Sequence, residues 1–95
     1  MDSPPRAQRV IAWRILRHLS WNGDARDTVE GILNWWLAPD GEQWSKEMIR
    51  EVLEDLVERG LLTARGDTME TRVYGLNRTR AQEMSQFLEE LEREQ

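Results

Sequence analysis

Apolar positions recur at helical spacing in four stretches of the chain and at alternating spacing in one. In the first stretch, one face collects only apolar side chains: Ile11, Ala12, Ile15, Leu16 and Leu19. Residues three and four positions apart share one face of an α-helix. Pro5 suits the first helical position, because the N–H that proline lacks would be unpaired there. The pattern therefore predicts a first helix over residues 5–20.

The second helical stretch has a start signal and a stop signal. Asp27 and Glu30 are spaced as a capping box, with Asp in place of Ser or Thr. Pro39 ends the helix, because the residue before a proline is pushed out of the α region. The prediction is a second helix over residues 28–38.

The third helical stretch has the most regular pattern. Ser45 is the predicted N-cap and Gly60 the predicted left-handed residue after the last turn. Between them runs a continuous apolar stripe: Met48, Ile49, Val52, Leu53, Leu56 and Val57. A third helix is predicted over residues 45–59.

The period changes after Gly60. "LLTAR" and "ETRVYGL" flank the turn "GDTM", which predicts a β-hairpin over residues 61–77. Its expected inward side chains are Leu62, Ala64, Tyr74 and Leu76. Thr79 and Gln82 fit a second capping box, so a last helix is predicted over residues 79–92. The fold class is mainly α with a small β-hairpin, in a single domain over residues 1–95.

The order helix, helix, helix, hairpin, helix, with the strings "IREVLEDLVERGLLTAR" and "RVYGLN", resembles the winged helix-turn-helix superfamily. The layout looks like small bacterial regulators of the MarR and PadR kind. The resemblance implies a three-helix core, a two-stranded wing and a C-terminal helix, in a dimer that binds double-stranded DNA and regulates transcription. In such domains the third helix offers side chains to base edges and the wing contacts the DNA backbone. The DNA-binding residues implied by position are Ser45, Lys46, Arg50, Arg65 and Arg72.

Charge leads to a second hypothesis. The chain holds 18 acidic against 13 basic residues, a net charge of −5. The third helix carries four glutamates opposite its apolar stripe, which would repel phosphate: Glu47, Glu51, Glu54 and Glu58. The alternative to a DNA-binding regulator is therefore a winged-helix interaction module without DNA binding. It would hold a protein partner on this acidic face or on a surface of Trp and Arg around Trp13 in the first helix.

The last helix and the tryptophans each allow two interpretations. The stripe of the last helix could pack on its own domain or on a second copy, and its place after a complete three-helix core favours a homodimer seam. Its members are Met84, Phe87, Leu88 and Leu91. Trp36 is expected in the core. Trp13 and Trp35 are expected to be covered by neighbouring elements rather than to form a partner-binding patch.

Residues typical of catalysis are scarce. The chain has no Cys and one His, so thiolate chemistry and a histidine metal site are not expected. A glycine-rich phosphate loop is also missing. We expect no catalytic residue, no metal and no cofactor. The sequence has no run of about 18 apolar residues, and no apolar leader follows "MDSPPR". We therefore expect a cytoplasmic protein that does not bind a membrane.

Overall fold

The computed structural model describes residues 6–37, 44–68 and 70–93. These form a mainly helical fold with a small antiparallel sheet, which confirms the predicted class. The predicted helix start at Pro5 and helix stop at Pro39 lie outside the described residues. The elements, in chain order, are α1 (Arg6–Trp21), β1 (Arg26–Asp27), α2 (Val29–Gly31) with a π-helical turn (Ile32–Trp36), α3 (Lys46–Glu58), β2 (Leu62–Arg65), β3 (Val73–Leu76), a 3-10 turn (Arg78–Arg80) and α4 (Ala81–Arg93).

Helix α1 is the central support of the fold. It packs against α3 on one side and α4 on another. Ile11, Ile15 and Leu16 on its apolar face are completely buried, and each side chain of this size stabilises the folded state by about 1.5–3 kcal/mol when removed from water. The remaining face of α1 carries basic and aromatic residues and stays at the surface.

The second helix begins one residue later than predicted. Thr28 is its N-cap, because its hydroxyl accepts a hydrogen bond from the Gly31 N–H at 3.2 Å. Asp27 instead belongs to β1, where it pairs with Tyr74, and its carboxylate accepts a hydrogen bond from the Thr28 N–H. The prediction of Asp27 as the cap was therefore wrong. The capping pattern uses only neighbouring residues, whereas Asp27 pairs with a strand far along the chain.

The predicted hairpin is present, and β1 adds a third strand that was not predicted. The strand order is β1-β3-β2, with all neighbours antiparallel. Leu62 and Tyr74 are buried, while Ala64 and Leu76 are half-buried against the core, as their inward assignment predicted. A two-residue strand shows no alternating pattern, so β1 left no periodic signal in the sequence.

Helix α3 follows its prediction closely. The hydroxyl of Ser45 accepts a hydrogen bond from the Met48 N–H at 3.1 Å, which confirms the N-cap. Gly60 has φ +82°, the left-handed conformation expected after a last helical turn. Leu53 and Leu56, from the middle of the apolar stripe, are buried. The outward face of α3 is therefore the acidic one.

Helix α4 begins differently from the prediction. A 3-10 turn precedes it, and the side-chain oxygen of Asn77 accepts a hydrogen bond from the Thr79 N–H at 3.2 Å. The amide of Asn77 also donates to the carbonyl of Gly60 at 2.8 Å. The predicted capping box of Thr79 and Gln82 was therefore wrong, because Asn77 caps the turn and joins it to the end of α3.

Candidate functional site

The predicted DNA-binding residues do not form one continuous basic surface. Ser45 and Lys46 are exposed at the start of α3, and Arg65 is exposed at the end of β2. The ammonium of Lys46 lies 3.1 Å from the carboxylate of Glu30. Arg50 is half-buried, and it lines a shallow depression that also contains Lys46, Glu30 and Glu70. The basic flank of α3 therefore lies among carboxylates.

Arg72 is held by the acidic face of α3. Its guanidinium lies 3.0 Å from the carboxylate of Glu54 and 5.8 Å from the ring centroid of Tyr74. The Tyr74 hydroxyl donates to the same Glu54 oxygen at 2.8 Å. Burial, followed by the hydrogen bond to Glu54, raises the pKa of Tyr74 to about 12. Glu54 thus ties the hairpin to α3, and Arg72 is not extended into solvent.

The rest of the acidic face points outward. Glu47, Glu51 and Glu58 are exposed, and Glu51 accepts a hydrogen bond from the side chain of Gln8. A phosphate backbone placed along this helix would meet three carboxylates. The structure therefore places Lys46 and Arg50 on the flank of α3, Arg65 on the hairpin, and the acids on the outer surface of α3.

The predicted dimer residues pack against their own chain. Met84 and Leu91 are buried, while Phe87 and Leu88 are partly buried against the same core. The guanidinium of Arg59 covers the ring of Phe87, 4.8 Å from its centroid. The alternative of packing within one domain thus accounts for most of the stripe. A homodimer stays a prediction, with Phe87 and Leu88 as the members of the stripe that keep exposed area.

A second surface lies on the face of α1 opposite its buried apolar residues, and we call it the Trp–Arg groove. It has a volume of about 430 Å³, and the described residues that line it are Trp13, Arg14, Arg17, His18, Trp21 and Trp36. Five of these come from α1, where spacings of three and four residues bring side chains together along one side of the helix. Trp36 comes from the π-helical turn.

Arg17 lies between two indole rings in this groove. Its guanidinium carbon is 5.1 Å from the ring centroid of Trp13 and 4.8 Å from that of Trp21. A guanidinium over an indole face is attracted by about 0.5–2 kcal/mol, depending on its exposure to water. In the part of the chain that the structure describes, no carboxylate lies within salt-bridge distance of Arg17. Trp21 is 71% exposed, so one side of this stack is open to solvent.

The floor of the groove is a second stacked pair. The rings of His18 and Trp36 are 4.5 Å apart at an angle of 18°. Burial lowers the pKa of His18 below its ordinary value of 6.5, so the imidazole is neutral at pH 7. At one rim, the indole N–H of Trp13 donates to Glu92 of α4 at 3.1 Å. At another, Arg14 donates to the carbonyl of Leu37 at 3.1 Å.

The tryptophans only partly match their predictions. Trp36 is buried as predicted, and Trp13 is half-covered by its neighbours. The expectation that Trp35 is covered was wrong, because it is 76% exposed. Adjacent residues of a helix point about 100° apart, so only one of these two rings faces the core. A hydrogen bond from the Leu37 N–H to the Ile32 carbonyl, five residues back, makes the turn π-helical. Trp21 was missed, although its spacing of four from Arg17 and eight from Trp13 is visible in the sequence.

The described residues offer neither a metal site nor a membrane-spanning helix. The residues that the structure describes include no group of three or more His, Cys, Asp or Glu placed to hold a metal ion. Among the same residues, no helix has the length and apolar character needed to cross a membrane. The Trp–Arg groove is therefore the strongest candidate site.

Comparison of the chain with protein-family models, curated proteins and solved structures found no match.

Proposed function

We propose that this protein is a winged-helix interaction module that binds a segment of a partner protein in the Trp–Arg groove. One observation carries the proposal: Arg17 is stacked between Trp13 and Trp21 at an open surface. Trp and Arg are enriched among the residues that dominate binding energy at protein interfaces. An exposed ring such as that of Trp21 gains the free energy of leaving water when a partner covers it.

The dimensions of the groove suit a short segment. Its volume is about 430 Å³, and it is open to solvent. Three indole rings line it, and the guanidinium of Arg17 supplies donors. Peptides bind such grooves by placing anchoring side chains in them.

The outer surface of α3 is a less suitable DNA-binding surface. The pairs Lys46–Glu30 and Arg72–Glu54 do not exclude DNA by themselves, because partly exposed ion pairs contribute only about 0–1 kcal/mol. The outward carboxylates of Glu47 and Glu58 are a stronger objection, because both are exposed and would repel phosphate placed along α3. Protein binding is therefore the function that the geometry supports best.

A counter-selected peptide library tests the proposal. Random displayed peptides are first depleted on the Trp21→Ala variant and then selected on the wild-type chain. We expect enriched peptides whose binding weakens about tenfold or more in Trp21→Ala, a loss of about 1.4 kcal/mol. Trp35→Ala is the matched control, because Trp35 is equally exposed but does not line the groove. Failure to enrich any peptide, or equal sensitivity to both variants, would contradict the proposal.

Double-stranded DNA remains a second candidate, supported by the exposed first turn of α3 and the exposed Arg65 near the hairpin tip. Here the protein would act as a dimeric transcriptional regulator. Contacts from Lys46, Arg50, Arg65 and Arg72 in both protomers would produce a log–log salt slope of about −7. A salt titration with random duplex DNA measures this slope. Absence of binding at about 50 mM salt, where phosphate contacts are strong, would exclude this candidate.

A further inference from the structure

We infer that the segment bound in the Trp–Arg groove is acidic and carries an apolar or aromatic anchor, with a carboxylate of the partner placed on Arg17. This inference rests on the proposed function and specifies the chemistry of the partner. It follows from the charge of the groove, from the geometry of Arg17, and from the size of the basic surface.

The groove has the opposite charge to the protein as a whole. Its described lining contains Arg14 and Arg17, with one carboxylate, that of Glu92, at the rim beside Trp13, whereas the chain has a net charge of −5. Opposite charges attract more strongly at a protein surface than in bulk water, because the effective dielectric constant is lower there. An acidic segment is therefore attracted at the groove and repelled by much of the remaining surface. A basic segment would be attracted to the outer face of α3 instead.

The stacking of Arg17 prepares it for a carboxylate. The guanidinium lies over both indole rings, and its N–H groups lie in the plane of the group. The planar edge of the guanidinium can donate two parallel hydrogen bonds to one carboxylate. Because the rings already restrict the side chain, less conformational entropy is lost when the partner binds.

The position of an anchor follows from the remaining surface. Trp21 is open to solvent, and the stacked rings of His18 and Trp36 line the groove beside it. An aromatic or branched aliphatic side chain next to the acidic residue of the partner would cover these rings. Aromatic rings that meet in offset or edge-to-face arrangements add to the gain from buried area.

The groove is too small a basic surface to favour a nucleic acid. Single strands are bound along tracks that neutralise successive phosphates and stack successive bases. The next arginine along α1 towards its start, Arg9, lines a separate depression together with Glu51 and Asp55. The basic surface is thus interrupted by carboxylates, which suits a short acidic peptide better than a continuous phosphate backbone.

Three matched peptides test the inference. They share one anchor, Phe next to Leu, and differ only in the flanking residues, which are Asp and Glu, Asn and Gln, or Lys. Each is labelled with a dye, and its binding to the full chain is measured by fluorescence anisotropy at about 50 and about 150 mM salt. We expect the acidic peptide to bind, the neutral peptide to bind about tenfold more weakly, and the basic peptide to show no binding that depends on the groove.

Four variants locate the contact. Arg17→Gln should weaken the acidic peptide about tenfold and the neutral peptide little. Arg17→Lys should recover only part of the loss, because an ammonium lacks the planar donor edge. Trp21→Ala should weaken both peptides, and Trp35→Ala neither. Circular dichroism and thermal unfolding check that each variant is folded, which the exposed positions of Trp21 and Trp35 favour.

The outcomes separate the inference from the proposed function. If neutral and acidic peptides bind equally and both need Trp21, the groove binds peptides but the acidic partner is wrong. If no peptide depends on Trp21, both ideas fail.

Tighter binding of a single-stranded oligothymidine that competes with the peptide would assign the groove to nucleic acid. Sedimentation could instead show that the chain associates with itself. If Trp21→Ala abolishes this association and Glu51→Gln weakens it, the groove binds a second copy of the chain. Each of the last two results overturns the inference.

Discussion

The hydroxyl of Tyr74 donates a hydrogen bond to the carboxylate of Glu54 at 2.8 Å, which joins the central strand of the sheet to α3. Arg72 donates to the same oxygen at 3.0 Å. One glutamate from the acidic face of α3 therefore satisfies the hydroxyl of a buried tyrosine and a guanidinium from the start of β3. This contact determines how the hairpin is held against the helix.

Removing the Glu54 carboxylate should destabilise the protein. Glu54→Ala leaves the Tyr74 hydroxyl without its acceptor, and a lost bond of this kind costs about 1–3 kcal/mol. Urea unfolding measures the change. Glu58→Ala is the control, because Glu58 is exposed in the last turn of α3, where a negative charge is slightly unfavourable. Equal losses in the two variants would show that the contact does not stabilise the fold.

The ionisation of Tyr74 gives a direct test of the same contact. Tyr74 is the only tyrosine, so the phenolate absorbance reports on it alone. We expect the absorbance change to give a pKa of about 12 for Tyr74 in the folded protein and of about 10 after unfolding. Glu54→Ala should lower the folded midpoint, because it removes both the hydrogen bond and the negative charge. A wild-type midpoint of about 10 would contradict the buried, hydrogen-bonded phenol.

This shift also predicts a loss of stability in alkali. The folded protein holds the Tyr74 proton more tightly than the unfolded chain, so its contribution is complete below about pH 10 and is lost as the pH rises towards 12. The loss is on the order of 2–3 kcal/mol. Tyr74→Phe, measured over the same range, should remove this component and leave only the effects of the basic residues.

His18 should make stability depend on pH in the opposite sense. Burial lowers its pKa, so the folded protein binds this proton more weakly than the unfolded chain does. The free energy of unfolding should therefore be greatest above about pH 6.5 and should fall as the pH drops below it. NMR titration of the single histidine measures its pKa. In His18→Gln, the free energy of unfolding should change less between about pH 7 and pH 5.5 than in the wild type. An unchanged pH dependence would argue against a role of His18.

Helix α4 should stabilise the monomer. Leu91 is 5% exposed, and Leu91→Ala should cost about 2–5 kcal/mol through the cavity it leaves. Packing within one chain predicts an unfolding midpoint that does not change when the protein is diluted about a hundredfold, whereas an obligate homodimer predicts a lower midpoint. Sedimentation of wild type and Leu88→Glu provides the companion measurement. Conversion of a dimer to a monomer by Leu88→Glu would support the predicted seam.

The sequence by itself determined the features that depend on neighbouring residues. The cap at Ser45 and the left-handed Gly60 each involve contacts within about one helical turn, so residue types at short spacing were sufficient to predict them. The apolar stripe of α3 and the inward side of the hairpin were predicted for the same reason, because a helix and a strand have fixed periods. Burial of Leu56 and Tyr74 followed from these periods.

Only the tertiary structure decided the features that join distant segments. Asp27 looked like a helix cap until β1 paired it with Tyr74. Arg72 was predicted as a DNA contact from its position alone, and only the fold shows that Glu54 lies beside it. The stacking of Arg17 between two rings was within reach of helical spacing, but the groove also needs Trp36, which the π-helical turn places against His18. Ion pairs and grooves depend on where separate elements approach each other, and that distance is set by packing of the whole core rather than by any short stretch of sequence.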